Sequence, residues 1–80
     1  MKRVVISILI NHLTPNMPVV SVDVFDDENI LIEAFPSTMY KVFSCFIFWS
    51  SDITIDGVCK FQASGLLTNE EIDSLRISAN

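Results

Sequence analysis

Three side chains of this eighty-residue chain could carry nucleophilic or proton-transfer chemistry: His12, Cys45 and Cys59. His12 stands in a polar Asn-His-Leu-Thr-Pro stretch, where an imidazole could serve as a general base toward a thiol. Neither cysteine has the electropositive setting that lowers a thiol's pKa, so both read as small hydrophobes. Structural zinc needs four closely spaced Cys or His ligands, and these three are mutually remote. Asp23, Asp26, Asp27 and Glu28 offer oxygen ligands but lack the D-x-[DN]-x-[DN]-G-x5-E layout of a calcium loop. The two glycines, Gly57 and Gly65, form no phosphate-cradling loop. No nucleophile elbow or recognisable pair of catalytic carboxylates is present. The expectation is a protein without metal or cofactor, and not an enzyme.

The elements that position these residues can be read from period and punctuation. Val4–Ile10 is a continuous β-branched run, expected as a strand buried on both faces. Residues 11–18 hold two prolines and two asparagines and read as a loop. Val19–Val24 and Asn29–Phe35 alternate around the Asp26-Asp27-Glu28 turn. Pairing Val24 with Ile30, Val22 with Ile32 and Val20 with Ala34 would give one wholly apolar face, leaving Asp23 and Glu33 on the polar face. Asn29 tolerates the left-handed conformation that the loop needs. Residues 38–49 are rich in aromatic and β-branched types, which favours a central strand. A helix from Ser37 with Met39, Val42, Phe43, Phe46 and Ile47 on one face is the alternative.

Asp56-Gly57 then marks a second hairpin between 52–55 and 58–63. With Gly57 as the bulge residue of a three-residue loop, Ile53 would face Cys59 and Asp52 would face Lys60. A two-residue turn would pair Ile55 with Val58 instead. Thr68 and Glu71 have the spacing of a capping box, with Leu67 and Ile72 at the two staple positions. Ile72, Leu75 and Ala79 make an apolar stripe, and Arg76 lies near the negative end of the helix dipole. The expected fold is one α+β domain over residues 1–80. It is a small antiparallel β-sheet of five to six strands, two hairpins included, with one C-terminal helix of about ten residues packed on it.

Composition limits the function. Half of the residues are apolar and 19% charged, enough for a core and too apolar for disorder. Two cysteines without C-x-x-C spacing fit a reduced, cytoplasmic protein rather than a disulfide scaffold. Lys2-Arg3 before Val4–Ile10 imitates a signal peptide, but no small-residue cleavage site follows, and no apolar run approaches the ~20 residues of a membrane span. A net charge of −5 argues against direct contact with nucleic acid. The acidity is concentrated: residues 19–35 carry −5, residues 1–18 carry +2, residues 36–60 balance and residues 61–80 carry −2.

Asp23, Asp26, Asp27, Glu28 and Glu33 are therefore the expected partner-binding residues, directed at a basic protein surface. In size and charge the chain is similar to small acidic proteins of phages and mobile elements that inhibit host enzymes by occupying nucleic-acid sites. That likeness is one of class, with no motif behind it. A mean hydropathy of +0.46 predicts exposed apolar surface and hence a homo-oligomer. Phe43, Phe46, Phe48 and Trp49 are the expected contact residues, since aromatics are enriched in interface cores. A structural or assembly subunit that self-associates through an apolar sheet face is the alternative to the binding module.

Overall fold

The computed structural model describes residues 1–45, 49–53 and 57–77, for residues 52 and 53 the backbone only. It contains β1 (Lys2–Asn11), β2 (Val19–Phe25), β3 (Leu31–Pro36), α1 (Met39–Val42), β4 (Ser50–Ile53), β5 (Val58–Leu67) and α2 (Asn69–Ser74). The strands form one antiparallel sheet in the order β3-β2-β1-β5-β4, so the first strand is the centre and β3 and β4 are the edges. The expected α+β fold with a five-stranded sheet and a C-terminal helix is the one observed.

Alternation decides what the sheet buries. Val4, Ile6 and Ile8 of β1 and Val20, Val22 and Val24 of β2 point to one face and are almost wholly buried. Ala63 and Leu67 of β5 join them, and Val42, Ile72 and Leu75 close the core from the helical side. The other face stays open: Val5 and Ser7 are half-buried and Leu9 is exposed. The expectation that β1 is buried on both faces is thus corrected. β1 is central because strands flank it, whereas the helices cover only one side of the sheet.

Residues 38–45 form no strand, and this is a second correction. Pro36 ends β3, and Thr38 in an extended conformation caps α1 through its side chain, which accepts from the Lys41 N–H. One helical turn then carries Val42 into the core, with Met39, Cys45 and Trp49 packed against it. Of the residues that suggested a strand, Val42 is buried and Trp49 packs against the core, whereas Tyr40 and Phe43 are exposed, so this content does not report a strand here.

α2 begins as its sequence predicts. Thr68 accepts from the Glu71 N–H, the Glu71 carboxylate accepts from the Thr68 N–H, and both staple residues, Leu67 and Ile72, are buried. The helix is shorter than expected, six residues, and Ala79 lies outside the described residues. Its end is tied to the α1 segment. The buried Ser37 hydroxyl donates to the Leu75 carbonyl at 2.6 Å, and Lys41 Nζ donates to the Arg76 carbonyl. Carbonyls that a helix end leaves without partners are satisfied in this way.

The second hairpin has the register of the three-residue loop, with Ile53 opposite Cys59 and Asp52 opposite Lys60. The first hairpin does not have the expected register. Val24 faces Glu33 and Val22 faces Phe35, while Phe25 faces Leu31, so Ile32 is an extra residue in a β-bulge. The reason lies at both ends of the strand. The turn closes between Asp26 and Ile30, and Phe35, the bulkiest side chain of β3, takes the core position that Ala34 could not fill. Pro36 sits opposite Ser21 next to the Ser37 N–H to Val20 carbonyl bond, which makes this a non-hydrogen-bonded pair. The proline's missing donor therefore faces away from β2, and no ladder bond is lost.

Candidate functional site

The five carboxylates of the first hairpin have three different environments. Asp26 builds the turn: its carboxylate accepts from the N–H groups of Glu28 (2.9 Å) and Ile30 (3.0 Å), and its carbonyl accepts from the Asn29 N–H. Asn29 adopts the left-handed conformation, φ 64°, as the loop requires. Its side-chain oxygen accepts from Arg3. Asp27 and Glu28 stand at the exposed tip, and their carboxylates have no hydrogen-bond or ion-pair partner among the described residues.

Glu33 and Asp23 part company. The bulge places Glu33 on the helical side of the sheet and leaves Asp23, opposite Ala34 and Val5, on the open side. The expectation that both share one polar face is corrected accordingly. Glu33 receives a bidentate contact from Arg76, with Nη2 to Oε1 at 2.7 Å. The Arg76 guanidinium also lies 4.4 Å over the Phe35 ring and donates through Nε to Asp73 at 3.1 Å. The hydrogen bonds from Arg76 hold the Glu33 carboxyl below the usual carboxylate range, and those same carboxylates hold Arg76 firmly in its charged form. This arrangement fastens the end of α2 to β3.

The tip gains an apolar flank: the expected register had placed Ile30 and Ile32 on the apolar face and Leu31 beside Glu33 on the other. Ile30, Leu31 and Ile32 are 56%, 52% and 49% exposed, at the start of an edge strand and directly after Asp27 and Glu28. The signal for this was present in Asp26-x-x-Asn29: a loop closed by that pair ends at Ile30 and forces the following strand out of the simple alternation.

The other candidate residues are dispersed. His12 packs on the second hairpin, where its backbone N–H and its Nδ1–H both donate to the Gly57 carbonyl, at 3.1 and 3.0 Å. Cys45 and Cys59 are half-buried free thiols, and Cys45 Sγ lies 3.7 Å from the Lys41 carbonyl. No group of three metal-ligating side chains occurs among the described residues. Phe43 is half-exposed and meets Trp49 edge-on at 5.4 Å between ring centroids, and Tyr40 on the same helical turn is 91% exposed. Phe46 and Phe48 lie outside the described residues. No helix among the described residues is long and apolar enough to cross a membrane. Comparison of the chain with protein-family models, curated proteins and solved structures finds no match.

Proposed function

We propose that the protein is a non-enzymatic, cytoplasmic binding module that engages a basic protein surface through its first hairpin. The observation that supports this reading is the juxtaposition of unpaired Asp27 and Glu28 with the half-exposed Ile30–Ile32 run on an edge strand. A desolvated apolar centre with charge at its rim is the composition of a protein interface. Like-signed charge at the rim steers a basic partner and discriminates against acidic ones. A nucleic-acid-binding protein surface has the complementary sign, and the inhibitor role follows if the hairpin covers it. Asp26 and Glu33 serve this site indirectly, the first by shaping the turn and the second by fixing β3 to α2.

The test is Asp27→Asn with Glu28→Gln, which preserves shape and changes the net charge from −5 to −3. Captures from host lysate with wild type and variant are compared between low and high salt. Loss of a basic partner from the variant, and from wild type at high salt, is the expected result. The same partners at the same salt tolerance for both proteins would remove the hairpin reading. A second reading, self-association, draws on Leu9, Val19, Leu31 and Leu66, which are exposed on or beside the open sheet face. Light scattering at tens of micromolar distinguishes it, since an apolar assembly survives salt.

A further inference from the structure

The two neighbours of β5 cover it unequally. β1 pairs with it along its whole length, from Val58 to Leu67, whereas β4 pairs only with residues 59–62. Backbone parity decides where the remaining groups point. The Ser37 N–H donates to the Val20 carbonyl, so the even residues of β2 face β3 and the odd ones face β1. Carried through the two regular registers, this turns Ala63, Gly65 and Leu67 toward β1 and Gln62, Ser64 and Leu66 toward the β4 side. Ser50 agrees, since its hydroxyl donates to the Gln62 carbonyl at 3.1 Å. β4 begins at that residue. The N–H and C=O groups of Ser64 and Leu66 therefore lie beyond its end and have no partner among the described residues. The next outward donor, the Thr68 N–H, is taken by the Glu71 carboxylate. Two residues in register thus present two donors and two acceptors along one free edge.

The surroundings fit an added strand. Ser64 and Leu66 are exposed, Leu66 by 64%, and both side chains stand on the open face of the sheet. Gly65 between them puts no side chain on the helical face, and a glycine inside a strand often marks the close approach of another backbone. Where β4 stops, a solvent-open recess of about 210 Å³ is lined by Arg3, Val5, Ser50, Gln62, Ala63 and Ser64. The Arg3 guanidinium is drawn to the far side of β1, over Phe25 and onto Asn29, which leaves the recess to neutral groups. In an added strand the side chain opposite Ser64 enters this recess, and the one opposite Leu66 covers the leucine. Past Leu66 such a strand reaches the first turn of α2. There the Glu70 carboxylate has no hydrogen-bond or ion-pair partner among the described residues. That carboxylate, in a chain of net charge −5, favours a cationic segment.

We infer that the 64–66 edge of β5 takes up an extended segment of a basic partner as an additional strand. The segment has a small neutral side chain opposite Ser64, an apolar one opposite Leu66, and a lysine or arginine at the α2 end. Backbone hydrogen bonds hold it, and the alternate side chains select it. The edge lies across the sheet from the acidic hairpin, so it stands or falls apart from the binding-module reading.

The experiment uses the intact protein and the capped hexapeptide Lys-Thr-Thr-Val-Thr-Lys, whose second and fourth side chains supply that pattern, followed by backbone amide NMR and hydrogen exchange. In the free protein the Ser64 and Leu66 amides should exchange fast, and those of Ala63 and Gly65 slowly. The peptide should give saturating shifts at these residues and slow exchange at Ser64 and Leu66. Methylating the peptide nitrogens of its second and fourth residues should weaken binding about tenfold or more. Leu66→Pro removes an outward donor without removing a bond to β1, and the same loss is expected of it. Glutamates in place of the two lysines should weaken binding several-fold, as should Glu70→Gln. The Asp27→Asn/Glu28→Gln protein should bind the peptide about as wild type does. Slow exchange of Ser64 or Leu66 in the free protein, protection that grows with protein concentration alone, equal binding of the methylated peptide, or shifts centred on the hairpin tip would overturn the inference.

Discussion

Gly57 carries two constraints at once. Its φ of +72° is in the left-handed region, and a Cβ built on it would lie 2.1 Å from His12 Nδ1. Gly57→Ala should therefore cost about 1–2 kcal/mol for the backbone conformation alone, with the displacement of His12 added. Chemical denaturation of the single variants and the Gly57→Ala/His12→Ala pair separates the two. Removing the ring should recover the steric part and leave the backbone part. Glu33 makes a prediction of another kind. Its carboxyl is held below the ordinary value of 4.5 by Arg76, so the unfolded chain binds the proton more readily than the folded one. Its contribution is then present above that value and is lost as the pH falls through the depressed folded value. Glu71, held low by the N–H and hydroxyl of Thr68, acts in the same direction. Glu33→Gln should be less stable near neutrality, and its stability should fall less than that of wild type between about pH 5 and pH 3. Parallel curves for the two proteins would show that the ion pair contributes nothing.

Among the elements, those specified by local chemistry were legible in the sequence. The capping box of α2 needs only Thr68 and Glu71 at the right spacing, and the second hairpin needs only a glycine able to reach positive φ. β1 and β2 follow from their valine and isoleucine pattern. What was not legible depends on partners distant in the chain. Residues 39–42 become helical because Val42 must reach the core and Thr38 can cap, against a composition that favours strand. The bulge at Ile32 follows from the Asp26 turn and from Arg76, forty-three residues beyond Glu33. Of the candidate site, the acidic tip was visible as composition, whereas the division of its carboxylates between turn, ion pair and solvent was not. The register makes a contrast that denaturation can measure. Phe35→Ala should cost about 1–3 kcal/mol, less than for a fully buried ring because Phe35 is only partly covered. Ile32→Ser should stay within about 0.5 kcal/mol. The reverse order would restore the simple alternating register.

For the whole molecule, the strand order separates two chemistries. Lys2 and Arg3 lie opposite the end of β2 and the end of β5, so the acidic turn and the start of α2 share one end of the sheet. The opposite end holds the 11–18 loop with Leu13 and Met17, which are 76% and 68% exposed. On the proposed reading a basic partner would meet the hairpin end, with the loop carrying Leu13 and Met17 turned away from it. The two edges of the sheet differ as well. β3 presents a proline at an outward-facing donor position and a bulge four residues earlier, both of which blunt an edge against pairing. Pro36→Val would restore the donor, and light scattering should then report aggregation that wild type does not show. This asymmetry limits growth. If two copies joined strand to strand along β4, both outer borders of the enlarged sheet would be β3, and a third copy would meet only a blunted edge. Sheet extension in such a protein would favour a pair over a fibre.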